Sequence, residues 1–322
     1  MTGQVLDFSS NYDILIKELG ELRVKKDEPM ANHTTFRIGG PADLFYIAYE
    51  EKEFINAIKL ARELAIPIFI LGGGANILVS DKGIRGLVIK NRASKVRIVG
   101  LKGKGKVLAV NEVYVEAEGG ALINQLVRFC LDEGLEGLEF LLSVPGTVGG
   151  ALKINAHFRP EKGEFIGNKL YKARLLTLEN KVVEVGKDYF IFCYDQSVLQ
   201  KSGDILLAAT FCLTKGDKKM IWKEAMAGVK KRQESQPIGI ACSGCTFRNT
   251  QDKPAGYLLE KAGLKGIKVG NAQFSQKHAN FILNLGGAKA KDVLELIKIA
   301  KEKVKEKFGV ELKEEIFLVG EF

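Results

Sequence analysis

The stretch "GGGANILVSDKGIRGLVIK" (72–90) follows directly on the short apolar run "PIFIL" (67–71), which reads as a buried strand. What comes after its three glycines decides between two ways of holding a nucleotide. In a Rossmann unit or a P-loop the glycines lead straight into a helix whose N-terminus receives the phosphates. No helical period appears here; Ile77–Val79 and Leu87–Ile89 read as two further strands. Glycines that join strand to strand have no helix dipole behind them, although consecutive N–H groups in an open turn can form an anion-binding nest. Three glycines in a row cost entropy unless positive φ or a close approach requires them. On its own residues the run fits an ordinary turn and a phosphate loop equally.

Working outward, the chain reads as a series of α+β units. "YDILIKELGEL" (12–22) is helical and leads into a polar connection, "LFYIAYE" (44–50) is a strand, and "EKEFINAIKLARELAI" (51–66) is a helix burying Phe54, Ile55, Ile58 and Leu64. In a second unit "VYVEAEGG" (113–120) is strand-like and "ALINQLVRFCLDEG" (121–134) is an amphipathic helix. "PGTVGG" (145–150) is then another glycine turn, entering a small-residue stretch with Asn155 available as a side-chain donor. Strands and turns continue through "KVVEV" (181–185) and "ILLAATFCL" (205–213), and composition shifts at "TKGDKK" (214–219). Beyond it lie helices near 221–233 and 254–262, a strand in "HANFILNLGG" (278–287) and the helix "KAKDVLELIKIAKEKVKEKFGV" (289–310). Val293, Leu296, Ile297, Ala300 and Val304 form the apolar stripe of that last helix. The expected division is an N-terminal helix and connection (1–30), a two-part region (31–213, parts about 31–92 and 93–213) and a C-terminal α+β unit (214–322).

At 322 residues the chain suits two or three domains, and 46% hydrophobic with 27% charged residues suits a globular protein. No apolar run reaches the ~18 residues of a membrane span. The opening "MTGQVLDFSSNYDILIKELG" lacks a basic start followed by an apolar block, so a cytoplasmic location is expected. The formal charge of +9 is scattered, with much of the lysine on the outer face of 289–310. That is a solvated helix face, without a nucleic-acid signature, and its diffuse field suits small anionic ligands. Five cysteines (130, 193, 212, 242, 245) make no disulfide framework in a chain this long, so a reducing compartment is expected. Cys242 and Cys245 form a C-x-x-C without the second pair a structural zinc wants, and His33, His157 and His278 stand alone, so no metal is expected.

The same C-x-x-C opens "SGCTFRN" (243–249), whose thiol could fill a core, join a redox pair or act as an acid over a substrate. Five other segments stand with it in order: "NHTTFRIGGPADLF" (32–45), "LGGGANILVSDKGIRGLVI" (71–89), "GLEFLLSVPGTVGGALKINA" (137–156), "PAGYLLEKAGLKGIKVGNAQFSQKHANFILNLGGAKAKDVLELI" (254–297) and "FGVELKEEIFLVG" (308–320). Together they resemble the UDP-N-acetylenolpyruvoylglucosamine reductase (MurB) family over about residues 30–322, in its second type, which lacks an extra tyrosine-bearing loop. The resemblance implies an α+β fold: a two-subdomain FAD-binding region of the PCMH or vanillyl-alcohol-oxidase-like kind, plus a C-terminal α+β substrate domain whose tail (308–322) returns to the active site. It implies FAD and NADPH as cofactors and a UDP-sugar enolpyruvyl ether as substrate, with no nucleic acid, membrane or obligate protein partner.

By resemblance Gly72, Gly73, Gly74, Ala75, Asn76 and Ile77 wrap the FAD diphosphate, and Pro145, Gly146, Thr147, Gly149, Gly150, Ala151 and Asn155 line the dinucleotide. The implied reaction saturates an enol-ether double bond conjugated to a carboxylate, so a proton must be delivered beside a developing enolate. Relatives carry serine as that donor in G-S-x-F-[KR]-N; the matching residue here is Cys245, intrinsically the better acid if kept protonated. Arg248 and Asn249 are expected on substrate oxygens. The tail matches L-E-P-E-V, which puts Glu315, rather than its neighbour Glu314, at the catalytic glutamate.

Several positions depart from the family pattern. Y-R-x-S, whose arginine supports the enolate, is here "YDQS" with Asp195, and Arg159 or Arg248 are candidates to supply the missing guanidinium. Ala75 replaces the serine of G-G-G-S-N, and Phe317 replaces a tail arginine. Oxidation of Cys242 with Cys245 would consume the acid. Alternative readings are a catalytically impaired flavin- or UDP-sugar-binding relative, and a flavin oxidase on another substrate.

Overall fold

The computed structural model describes residues 9–103 and 110–322. Residues 1–8, the start of the stretch that lacks a leader pattern, and residues 104–109 lie outside the described residues.

The first sheet places Val24–Pro29, Pro41–Ala48, Ile84–Asn91 and Ile68–Leu71 side by side in that order. Its two parallel pairings follow from one crossover: helix Glu51–Glu63 carries the chain from Pro41–Ala48 to Ile68–Leu71, and both strands flank Ile84–Asn91. Only Val24–Pro29 runs antiparallel. The crossover helix buries Phe54, Ala57, Ile58 and Ala61; Ile55 is only half-buried, as is Leu64, which lies just past the helix end at Glu63. Strand Ile84–Asn91 is buried at all but Arg85 and Lys90 and carries the apolar run Leu87–Ile89 at its centre, as suits a strand covered on both faces.

The second sheet is antiparallel, in the order Val182–Gly186, Leu170–Leu176, Ile205–Lys215, Val110–Glu118, Val96–Gly103. Helix Ile123–Asp132 packs on it through Ile123, Leu126, Val127, Cys130 and Leu131. Helix Lys218–Ser235 adds Ile221 and Ala225 to the same core, so by packing it goes with this lobe. Strand Val96–Gly103, an exposed edge, has no apolar alternation by which the sequence could have announced it.

A third, three-stranded antiparallel sheet (Lys268–Val269, Ala272–Phe274, Ile282–Asn284) is covered by helices Ala255–Lys261 and Ala290–Phe308. The long helix buries the expected stripe of Val293, Leu296, Ile297, Ala300 and Val304. Its first turn is capped from the first lobe: Asp81 accepts from Ala290 N at 2.9 Å and Lys291 N at 3.2 Å. The tail then comes back, and Phe317–Val319 pairs in parallel with Ile77–Val79 of the opening stretch. Among the described residues no helix is long and apolar enough to cross a membrane.

Candidate active site

The two glycine turns, far apart in sequence, lie against each other. A Cβ on Gly73 would sit 2.7 Å from Gly146 Cα, one on Gly72 2.4 Å from Thr147 Oγ1, and one on Gly74, at φ +63°, 2.4 Å from His33 O. The close approach that the triple glycine requires is therefore one of protein atoms: backbone at Gly73 and Gly74, the Thr147 side chain at Gly72. The open side belongs to the second turn: Gly146, at φ +127°, has nothing within 4 Å of where a Cβ would be, and at Gly150 a Cβ would meet only Thr147 Oγ1 at 3.6 Å. This second turn differs from the first in leading into a helix, Val148–Lys153, with Thr147 as its cap.

Between the first two sheets, beside these turns, is a cavity of about 470 Å³, within the usual size of small-molecule sites (about 300–1,000 Å³). Gly72 and Ile68–Ile70 form one wall; Gly119, Thr147, Gly149 and Gly150 form the other. Facing this space explains why Ile68, Phe69 and Ile70 are only half-buried in a strand whose composition predicts full burial. Of the other expected dinucleotide residues, Ala151 is buried, Pro145 is exposed and Ala75 is half-buried.

Asn76 and Thr35 carry the connection from the glycine loop to the thiol. Asn76 Nδ2 donates to Glu315 O (3.2 Å) and Asn76 O accepts from Phe317 N (3.0 Å). Thr35 Oγ1 lies 2.8 Å from Cys242 O and 3.4 Å from Gly74 O. "SGCTFRN" is itself an extended segment laced to two neighbours. Thr246 N donates to Asn280 O (2.7 Å), Arg248 N to Lys313 O (2.9 Å), and Glu315 N to Thr246 O (2.8 Å). Asn280 completes the lacing, its side chain accepting from Phe247 N and donating to Phe247 O. The ladder thereby brings Cys245, Arg248 and Glu315 together.

Charge in this cluster is unusual. Burial pushes the Cys245 thiol well above its ordinary range, reinforced by Glu315, Asp195 and Cys242, while Asn280 opposes the shift. Glu315 is pushed up to about 8, by burial first and by Asp195 second, against the pull of Arg248. Burial raises Asp195 to about 6, again against Arg248. The Tyr194 phenol is raised by burial and then by Asp195, Glu315 and Cys245. At neutral pH the thiol is loaded with its proton. Three buried polar atoms here have no hydrogen-bond partner among the described residues: His157 Nδ1, Asp195 Oδ2 and Arg248 Nε. Such orphans are rare in folded proteins, and three in one cluster single it out as a candidate site.

The remaining expected residues divide. Asn249 Nδ2 donates to Tyr194 OH (3.3 Å) and Asn249 Oδ1 accepts from Ala255 N (3.0 Å). Asn155, instead of presenting a free amide, holds backbone: Nδ2 donates to Cys193 O (3.0 Å) and Oδ1 accepts from Gly167 N (3.1 Å). Arg159 is engaged by both oxygens of Glu164 and does not meet Glu315 or Cys245. The thiols of Cys242 and Cys245 are not joined. Sequence reading missed Tyr194 and set His157 aside, although both pack beside Asp195. It also missed Arg232, whose guanidinium donates to Leu142 O, Phe140 O and Ser143 Oγ and lies 4.1 Å over the Phe158 ring, fixing the approach to "PGTVGG". A lone arginine in a lysine-rich helix gives no sign of this in sequence.

Comparison with known proteins agrees with this layout. The family described as "FAD binding domain" matches residues 42–186, and "UDP-N-acetylenolpyruvoylglucosamine reductase, C-terminal domain" matches residues 236–319. UDP-N-acetylenolpyruvoylglucosamine reductase of Clostridium tetani is 39% identical over 98% of this chain and 97% of its own. That of Caldanaerobacter subterraneus is 39% identical over 96% and 99%. The crystal structure of UDP-N-acetylenolpyruvylglucosamine reductase from Thermus caldophilus superposes with a TM-score of 0.74 at 30% identity, covering 92% of this chain and 99% of that one.

Proposed function

The chain belongs to the UDP-N-acetylenolpyruvoylglucosamine reductase family, FAD-dependent oxidoreductases of peptidoglycan precursor synthesis, and on that footing we propose which of its residues carry the reaction. The activity is NADPH-dependent reduction of UDP-N-acetylglucosamine enolpyruvate to UDP-N-acetylmuramate. FAD, when bound, supplies the hydride relay between NADPH and the enolpyruvyl double bond. Its place is the cleft between the first two sheets, with Gly72–Ile77 on one side and Pro145–Ala151 on the other. The open faces of Gly146 and Gly150 fit a group lying against that backbone.

Cys245 delivers the proton to the carbon next to the substrate carboxylate: the S–H bond breaks as a C–H bond forms, and the enolate's electron pair is consumed. Burial and the neighbouring carboxyls keep that proton in place until a carbanion is there to take it. Glu315, itself holding a proton up to about pH 8, is the group placed to reload the thiolate. Arg248 turns a guanidinium toward both carboxyls and, with its free Nε, binds the substrate carboxylate. Asn249 braces Tyr194 at the edge of the site. Asn155 positions the 193–195 turn. The single observation that carries this reading is the ladder of 245–248 with 280–281 and 313–315, which sets thiol, guanidinium and glutamate together beside the glycine loop.

The five unpaired cysteines and the use of NADPH support a cytoplasmic location. NADPH oxidation with and without the enolpyruvyl substrate tests the reading. Substrate-dependent oxidation is expected. Peroxide formation without substrate would indicate an oxidase, and FAD bound without turnover a binding protein.

A further inference from the structure

The residue left without a task is Asp195, which stands where relatives place an arginine. A carboxylate there would oppose the enolate. Yet the structure holds it in place with care. Asp195 is 4% exposed and sits at φ +54°, a conformation a non-glycine residue keeps only when its surroundings enforce it. Gln200 Nε2 donates to Asp195 O (2.8 Å), Ser197 Oγ donates to Lys153 O (2.9 Å), and Asn155 ties down Cys193 O. Asp195 Oδ2 has no partner, and Oδ1 lies 3.6 Å from His157 Nδ1, beyond hydrogen-bond range.

We infer that Asp195 works as a neutral carboxylic acid that donates a hydrogen bond to the substrate carboxylate as negative charge builds on it, taking the place of a guanidinium. An ionised carboxylate with one oxygen buried and unbonded is costly, whereas a protonated one needs only an acceptor. Among the described residues none lies within hydrogen-bond range, His157 Nδ1 standing off at 3.6 Å, and the substrate carboxylate is one. The charged and titratable groups facing Asp195 are Arg248, Glu315, His157, Tyr194 and Cys245. Of these Arg248 favours the ionised form, Glu315 opposes it, and His157 is kept neutral by burial. An arriving anionic substrate shifts the balance further toward the acid. Asp195 and Arg248 then hold the carboxylate from two donors, and the burial that looks like a defect is what keeps the proton on. This inference rests on the reading of Cys245 as the acid of the same site.

The test uses the FAD-loaded enzyme and its Asp195→Asn and Asp195→Ala variants. Steady-state kcat and KM are measured from pH 5.5 to 9, with substrate Kd read from the perturbed flavin absorbance. An amide keeps an N–H donor and cannot ionise, so Asp195→Asn should stay within about tenfold of the wild-type kcat. Removing the donor altogether in Asp195→Ala should lower kcat about 100- to 1,000-fold, the usual loss for one oxyanion donor, with Kd changed less. Wild-type kcat/KM should fall as pH rises above about 6, and that limb should vanish in Asp195→Asn. If Asp195→Ala cannot be loaded with FAD, Asp195→Leu, similar in shape to Asn but lacking its N–H, replaces it. The inference is overturned if Asp195→Asn is as impaired as Asp195→Ala, or if Asp195→Ala turns over at the wild-type rate. Those results differ from a failure of the underlying reading, in which the wild type shows no substrate-dependent NADPH oxidation or Cys245→Ala remains fully active.

Discussion

In water a thiol gives up its proton near pH 8.5, but Cys245 does not sit in water. Its surroundings raise that threshold, so the swap of a hydroxyl for a sulfhydryl yields an acid that is stronger than an alcohol yet still loaded at neutral pH. Cys245→Ser should therefore retain measurable turnover, slower than wild type, while Cys245→Ala should lose at least about 100-fold in kcat, the low end of what general-acid catalysis contributes. Both are read by product formation at matched FAD content. Glu315→Gln should slow steady-state turnover more than the first turnover of pre-reduced enzyme, since a reloading group is not needed until the second cycle. Equal effects on both would reassign Glu315 to the chemical step. At this scale what was legible is that Cys245, Arg248 and Glu315, each inside a motif, belong in one cluster, and the structure brings them together. His157, Tyr194 and Arg232 could not be read. Each takes its meaning from what it is buried against, and that is set by distant chain. Asp195 was visible as a departure, but its protonation state is a property of the packed site.

At the level of elements, the glycine turns carry the largest lesson. That the first joins strand to strand was legible, because Ile77–Val79 has no helical period. That its glycines are demanded by Gly146, Thr147 and His33 was not, since no local rule foretells which turn meets which. Gly73→Ala should accordingly lower FAD occupancy and Tm together, because its Cβ would meet backbone 2.7 Å away, whereas Gly150→Ala, with only an ordinary contact, should fold and bind FAD more weakly without a comparable drop in Tm. Absorbance of the purified protein and a melting curve decide it. Helix Lys218–Ser235 shows the opposite limit. The polar "TKGDKK" suggested a boundary before it, but Ile221 and Ala225 bury it in the second lobe, and we propose that the third unit begins after Ser235.

On the scale of the whole molecule, the site couples to stability. Asp195 and Glu315 have raised proton affinities in the folded protein, so the stability they contribute is fully present below the ordinary carboxyl range near pH 4. It is lost as pH rises through about 6 and then about 8. The Asp195→Asn, Glu315→Gln double variant should therefore melt higher than wild type at pH 8.5 and show less of a difference at pH 5, as expected where function holds groups in unfavourable forms. The first and third lobes are joined by Asp81 on the long helix and by the tail strand on Ile77–Val79. The central claim is that the Cys245 thiol supplies the proton in this cleft, and single-turnover mixing of NADPH-reduced holoenzyme with the enolpyruvyl substrate tests it most directly. The account predicts product formation by wild type, slower formation by Cys245→Ser and none on the same timescale by Cys245→Ala, with reduction by NADPH unchanged in all three. Product formed by Cys245→Ala at the wild-type rate would contradict it.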